Sequence, residues 1–150
     1  MSFQFSRNPQ NLATFWNRSG ILQIASTATN ASGPNLPATG STTLMQKSIT
    51  ITNPNSKILI TASASASRTG ENNEDFTASL YRDSTDLGDG TPMVYLNDLN
   101  VSHFTLNYVD TPGATGTFNY SLKGKSHIGT GTAVFNQPNH LCTFILQEIL

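Results

Sequence analysis

Residues 48–67 read SITITNPNSKILITASASAS, two alternating segments joined by Asn53-Pro54-Asn55-Ser56. In the second segment Ile58, Ile60, Ala62, Ala64 and Ala66 share one parity, and Thr61, Ser63, Ser65 and Ser67 share the other. That is the period of two of a strand with one dry face and one wet face. The inward row shrinks from Ile to Ala, which predicts an inner face that tapers or closely approaches a facing sheet, as in a sandwich or closed barrel.

Working outward, the same signal recurs. Strands are predicted over 21–26, 44–52, 57–66, 76–82, 93–96, 101–109, 116–126 and 141–150, with a minor one over 132–135. Ser, Thr and Gly are dense throughout, and beyond residue 19 no segment sustains a 3.6 period, so the fold class is all-β: an antiparallel sandwich or jelly roll of about eight strands. Phe104, Leu106 and Tyr108 share a face, as do Phe118, Tyr120 and Leu122. The turn chemistry of Asp110-Thr111-Pro112-Gly113 between them predicts a hairpin. In the last strand Leu141, Ile145 and Ile149 alternate with Cys142, Phe144 and Leu146, so both faces read as covered. That implies a central place in a sheet or burial against another subunit, and in the second case Phe144 and Leu146 are the expected contact between subunits.

The chain divides into an arm, 1–19, and a β-sandwich domain, 20–150. In the arm Phe3 and Phe5 alternate, Asn8-Pro9 breaks the pattern, and Leu12, Phe15 and Trp16 fall at helical spacing. Such a cluster either folds back on its own domain or docks on another protein. The connection from Thr27 to Thr43 is polar and rich in Gly and Pro; it reads as a solvated loop or an extended contact to a neighbour.

Composition narrows the function. Only 11% of the 150 residues are charged, against roughly 25% in ordinary soluble domains, and 16 Ser, 20 Thr and 15 Asn supply the polar surface. With eight basic and nine acidic residues and no run of either sign, neither nucleic acid nor an anionic membrane is favoured as partner. The N-terminus lacks an apolar leader core and no stretch approaches a membrane span, so neither cleavage nor insertion is expected. The single cysteine, Cys142, lies in the apolar run LCTFILQEIL and reads as a buried thiol.

Chemistry-bearing patterns read as structural. His103, His127 and His140 are far apart; His140 and Cys142 share a parity, but two ligands do not close a zinc site. Asp83, Asp86 and Asp89 sit in a Gly-containing loop without calcium-loop spacing, and Glu71, Glu74 and Asp75 read as a solvated tip. No nucleophile elbow or dinucleotide fingerprint occurs. No catalytic residue, cofactor or metal ligand is assigned.

The order of motifs does carry a family likeness: GILQI, then SITITNPNSKILITASAS, LYRDSTDLG, FTLNYVDTPGATGTFNYSLKGKS and finally FILQEIL. From Gly20 to Leu150 the chain resembles a small β-sandwich module of bacteriophage virion proteins, found in head decoration proteins and in tail-fibre or collar proteins. The positions that carry it are Leu22-Gln23, Asn53 to Leu59, Leu80 to Arg82, Asp110 to Pro112 and Glu148-Ile149. The resemblance implies a homotrimeric knob, and an arm of some 20 residues suits a capsid decoration (cement) protein better than a fibre with a shaft. Phe3, Phe5, Arg7, Leu12, Phe15, Trp16 and Arg18 would then anchor the trimer to major capsid protein on the outer head surface. The alternative it implies is a tail-fibre or receptor-binding knob whose loops 27–43, 67–75 and 83–92 contact host glycan or protein, with Tyr81, Tyr95 and Trp16 as stacking aromatics.

Overall fold

The computed structural model describes residues 20–31, 33–37, 39–69, 75–97, 101–126, 132–136 and 140–150. The arm residues Phe3, Phe5, Arg7, Leu12, Phe15, Trp16 and Arg18 lie outside them, as do Glu71, Glu74 and His127. Eleven strands run through the described residues: β1 (Ile21–Thr29), β2 (Asn35–Leu36), β3 (Thr42–Ile51), β4 (Lys57–Thr69), β5 (Phe76–Arg82), β6 (Thr85–Asp86), β7 (Val94–Leu96), β8 (Val101–Asp110), β9 (Gly116–Ser126), β10 (Thr132–Phe135) and β11 (Cys142–Ile149). They form two antiparallel sheets packed as a sandwich. The front sheet has β4 at its centre, with β8 on one side and, on the other, β11 then β1 along one half and β10 then β2 along the other half. The back sheet runs β3-β9-β5, with β6 and β7 beyond β5.

Setting aside β2, β6 and β10, the remaining eight strands pair first with eighth (β1/β11), second with seventh (β3/β9), third with sixth (β4/β8) and fourth with fifth (β5/β7). This nested pairing is that of a jelly roll, one long hairpin rolled into two sheets. The roll corrects the expected hairpin of β8 with β9: β8 pairs with β4 in the front sheet, whereas β9 pairs with β3 and β5 in the back sheet. The turn at 110–115 therefore carries the chain from one sheet to the other. Residues 52–56 do the same between β3 and β4. Each flanking strand buries one face, and alternation is identical whether a turn closes a hairpin or crosses the sandwich.

The core is built from the inward rows. Ile58, Ile60, Ala62 and Ala66 on β4 are fully buried, with Phe144 and Leu146 on β11, Leu80 and Phe76 on β5, and Tyr120 and Leu122 on β9. Burying each such large side chain contributes about 1.5–3 kcal/mol. The β4 alanines make room for large neighbours. Ala64 lies in register with Phe104, and Ala62 lies between Leu106 and Phe144; the Phe104 ring in turn meets Phe76 of the back sheet at 5.6 Å between centroids.

Two further expectations change. Phe144 and Leu146 are 0% exposed within this one chain, so they fill its own core, and the outward face of β11 carries Ile145 and Ile149 instead. The 27–43 connection is pinned down in its second half: Leu36 enters the core, Gly33 N–H donates to the Phe135 carbonyl at 2.8 Å, and Ser126 N–H donates to the Pro37 carbonyl at 3.1 Å. A Cβ on Gly33 would lie 2.4 Å from that Phe135 carbonyl oxygen, so the close approach requires glycine.

Candidate functional site

Two polar ties close one end of the sandwich, and both are made by residues singled out in the motif order. Arg82 on β5 donates from one Nη1 to both carboxylate oxygens of Asp110 on β8, at 2.9 and 2.7 Å, and the Tyr120 hydroxyl on β9 donates to Asp110 at 2.7 Å. The guanidinium also lies 5.9 Å from the Phe118 ring centre. Burial alone would lower the Arg82 pKa; the hydrogen bonds and charge of Asp110 outweigh it and raise it. The Tyr120 phenol is pushed far above its ordinary value, first by burial and then by its bond to Asp110. On the other flank, Gln23 of β1 donates to the buried Glu148 carboxylate of β11 and to the Thr50 carbonyl of β3. Both ties join the two sheets.

The other chemistry-bearing residues separate. Asp83 accepts from the Asn119 N–H at 3.0 Å. Asp86 accepts from the N–H groups of Gly88 and Gly90, at 2.9 and 3.2 Å. Asp75 accepts from the Tyr95 hydroxyl. Asp83 and Asp86 thus serve the turn, as Asp residues in tight loops do. His140 does not join Cys142. It precedes β11 and its ring meets that of His103 at a tilt of 58°, 4.7 Å between centroids, while Cys142 points into the core with its thiol pKa raised by burial. Among the described residues no three His, Cys, Asp or Glu side chains are placed to hold a metal ion.

What the fold does assemble is a cleft of about 270 Å³ on the outer surface of the back sheet. β5 and β9 run side by side in register there, so Thr77 lies opposite Lys125 and Ser79 opposite Lys123, with Tyr81 one step further along β5. Gly40 and Ser41, ahead of β3, form one wall; Gly90 and Pro92, after β6, form another. Gly90 has φ of +79°, a conformation that costs other residues strain, and its N–H is thereby free to turn back onto Asp86. The Lys123 ammonium lies 4.2 Å from the Tyr81 ring centre, a cation–π contact of about 0.5–1 kcal/mol at an exposed site. The Tyr81 phenol is held above its ordinary pKa by partial burial and by the Asp86 charge.

Among the described residues the lining has two ammonium groups, four hydroxyls, one of them on the Tyr81 ring, and one carboxylate already accepting hydrogen bonds, with no histidine or thiol. Sequence reading named Tyr81 and the loops 27–43 and 83–92 separately. It missed Lys123 and Lys125, whose shared parity on β9 was visible but whose alignment with Thr77, Ser79 and Tyr81 depends on a pairing 40-odd residues apart in the chain.

No family model and no curated protein match the chain. Among solved structures it is similar to "Structure of infectious bursal disease virus Gx strain", with TM-score 0.47 and 13% identity over 85% of this chain and 36% of that one. It is likewise similar to "Structure of infectious bursal disease virus Gt strain", with TM-score 0.40 and 12% identity over 86% and 36% respectively. The chain thus spans about a third of the length of these neighbours, and the functional reading rests on its own residues.

Proposed function

We propose that this chain is a non-enzymatic bacteriophage virion structural protein, a homotrimeric capsid decoration protein that binds major capsid protein on the outer head surface and stabilises the shell. The observation that carries the reading is the spatial pairing of the motif residues. Gln23 of the opening strand meets Glu148 of the closing one, and Arg82 meets Asp110. The order of motifs therefore reflects the contacts that hold this jelly roll together, beyond a shared taste for Ser, Thr and Ile. Jelly rolls serve in viral capsids and in lectins alike, an argument by analogy of fold.

Self-association has a suitable surface. On the outward face of the front sheet Ile24, Gln147, Leu59 and Val109 form one cross-strand row, flanked by Ile145 and Ile149; Ile24 is 58% and Val109 48% exposed. We assign the trimer contact to this patch in place of Phe144 and Leu146. The arm, 1–19, is assigned to major capsid protein through its aromatics and Arg7 and Arg18. Its root is fixed: the Leu150 N–H donates to the Gly20 carbonyl at 3.0 Å. A protein that binds the assembled shell and not the free subunit stabilises it by mass action. Deleting residues 1–19 is expected to abolish binding to particles while the oligomer survives in sedimentation; retained binding overturns the assignment.

A second reading, a receptor-binding knob of the tail, is favoured by one observation: the cleft brings the loops before β3 and after β6 together with Tyr81.

A further inference from the structure

We propose that the cleft on the back sheet binds a carboxylate-bearing saccharide through Lys123, Lys125 and Tyr81. The inference rests on the receptor-binding reading and names the ligand class of that site. The charge of the lining selects an anion. Lys123 and Lys125 supply two of the eight basic residues of a chain that is nearly neutral overall, and Asp86 is the single carboxylate among the lining residues. Its oxygens already accept from Gly88, Gly90 and the Tyr81 hydroxyl, the last at 3.4 Å, so its acceptor sites are turned to its own loop, while the two ammonium groups outweigh its single negative charge.

The rest of the lining selects a sugar over a bare anion. Hydroxyls of Ser41 and Ser79 offer donors and acceptors suited to a polyhydroxylated ring, and the Tyr81 ring, whose face meets the Lys123 ammonium at 4.2 Å, holds that ammonium at the cleft beside them. The volume, about 270 Å³, lies just under the roughly 300–1,000 Å³ of clefts for drug-sized ligands; it suits one pyranose ring with the remainder of a glycan leaving through the open side. Lysines serve phosphate as well as carboxylate, but a dedicated phosphate site adds a row of backbone N–H groups or an arginine fork to them. Here the donors are two lysines one strand-repeat apart on β9, and the backbone N–H groups of Gly88 and Gly90 are already spent on Asp86.

The test is amide NMR titration of the full chain with N-acetylneuraminic acid, glucuronic acid, glucose and inorganic phosphate as separate arms. Either acidic sugar should shift the resonances of Tyr81, Lys123 and Lys125 at millimolar concentration, with glucose and phosphate at least about tenfold weaker. Lys125→Gln should weaken the acidic sugar about tenfold, the loss expected for one charged hydrogen bond, at an unchanged unfolding temperature. An equal response to glucose or to phosphate overturns the inference, and so does the absence of any shift at the cleft. Particle adsorption to host cells is scored with the same variant. Adsorption without cleft shifts overturns the saccharide assignment alone, whereas cleft shifts without adsorption sustain that assignment and remove the receptor reading.

Discussion

Asp110 shows how a charged residue can be required by an interior. Its parity is that of Phe104, Leu106 and Tyr108 on β8, so it points inward at 6% exposure. Unpaired, it would carry a heavy desolvation cost; Arg82 and Tyr120 converge on it and meet that cost. The inward position of Asp110 was legible from alternation, and so was that of Glu148 beside Phe144 and Leu146. Their partners were not, because Arg82 is 28 residues away and Gln23 is 125 away, and only the roll brings them together. A pH prediction follows from Tyr120. Its phenol is protonated in both states below the ordinary value of 10.0, so its contribution is fully present there. Above pH 10 the unfolded chain releases the proton while the folded chain keeps it, and stability falls as pH rises. Tyr120→Phe is expected to cost about 1–2 kcal/mol at pH 7 through the lost hydrogen bond and to make the fall between pH 10 and 11 shallower in denaturant titrations. An unchanged alkaline slope would contradict this.

Among the elements, β4 was the most legible, because the alternation from Ile60 to Ser67 fixes which face carries the Ile and Ala row; Ser65 and Ser67 on the other face, expected to be wet, are buried as well. Its neighbours were less so. Asp110-Thr111-Pro112-Gly113 has the residues of a turn, yet turn chemistry does not encode whether the next strand returns to the same sheet, and here it crosses. The alanine taper makes sense only against the side chains it faces, Phe104 in register and Phe76 from the opposite sheet. Substituting Ala64→Leu should therefore overpack that contact and destabilise by about 1–3 kcal/mol. Ser63→Val, one residue earlier on the outward face, should stay within about 0.5 kcal/mol of the parent. Equal losses in urea titration would contradict the assignment of faces.

At the scale of the molecule, strands whose partners are nested first with last give a sandwich whose two broad faces differ. The front sheet turns an aliphatic patch outward, with Ile24 and Val109 about half exposed. The back sheet turns a hydroxyl- and lysine-lined cleft outward. One face thus suits packing against copies of the chain, and the other suits a polar ligand in solvent. The all-β class and the antiparallel sandwich were readable from the period of two; the nested jelly-roll pairing was not, since the turn at 110–113 pointed to a β8–β9 hairpin. The division of labour between the faces was not, because it depends on which strands share a sheet. The decoration and receptor readings differ most plainly in how many copies a particle carries. The direct measurement is copy number and position on purified virions, by quantitative mass spectrometry with electron cryomicroscopy. Hundreds of copies, as trimers on the outer head surface, are expected of a decoration protein; a few copies confined to the tail would contradict that assignment.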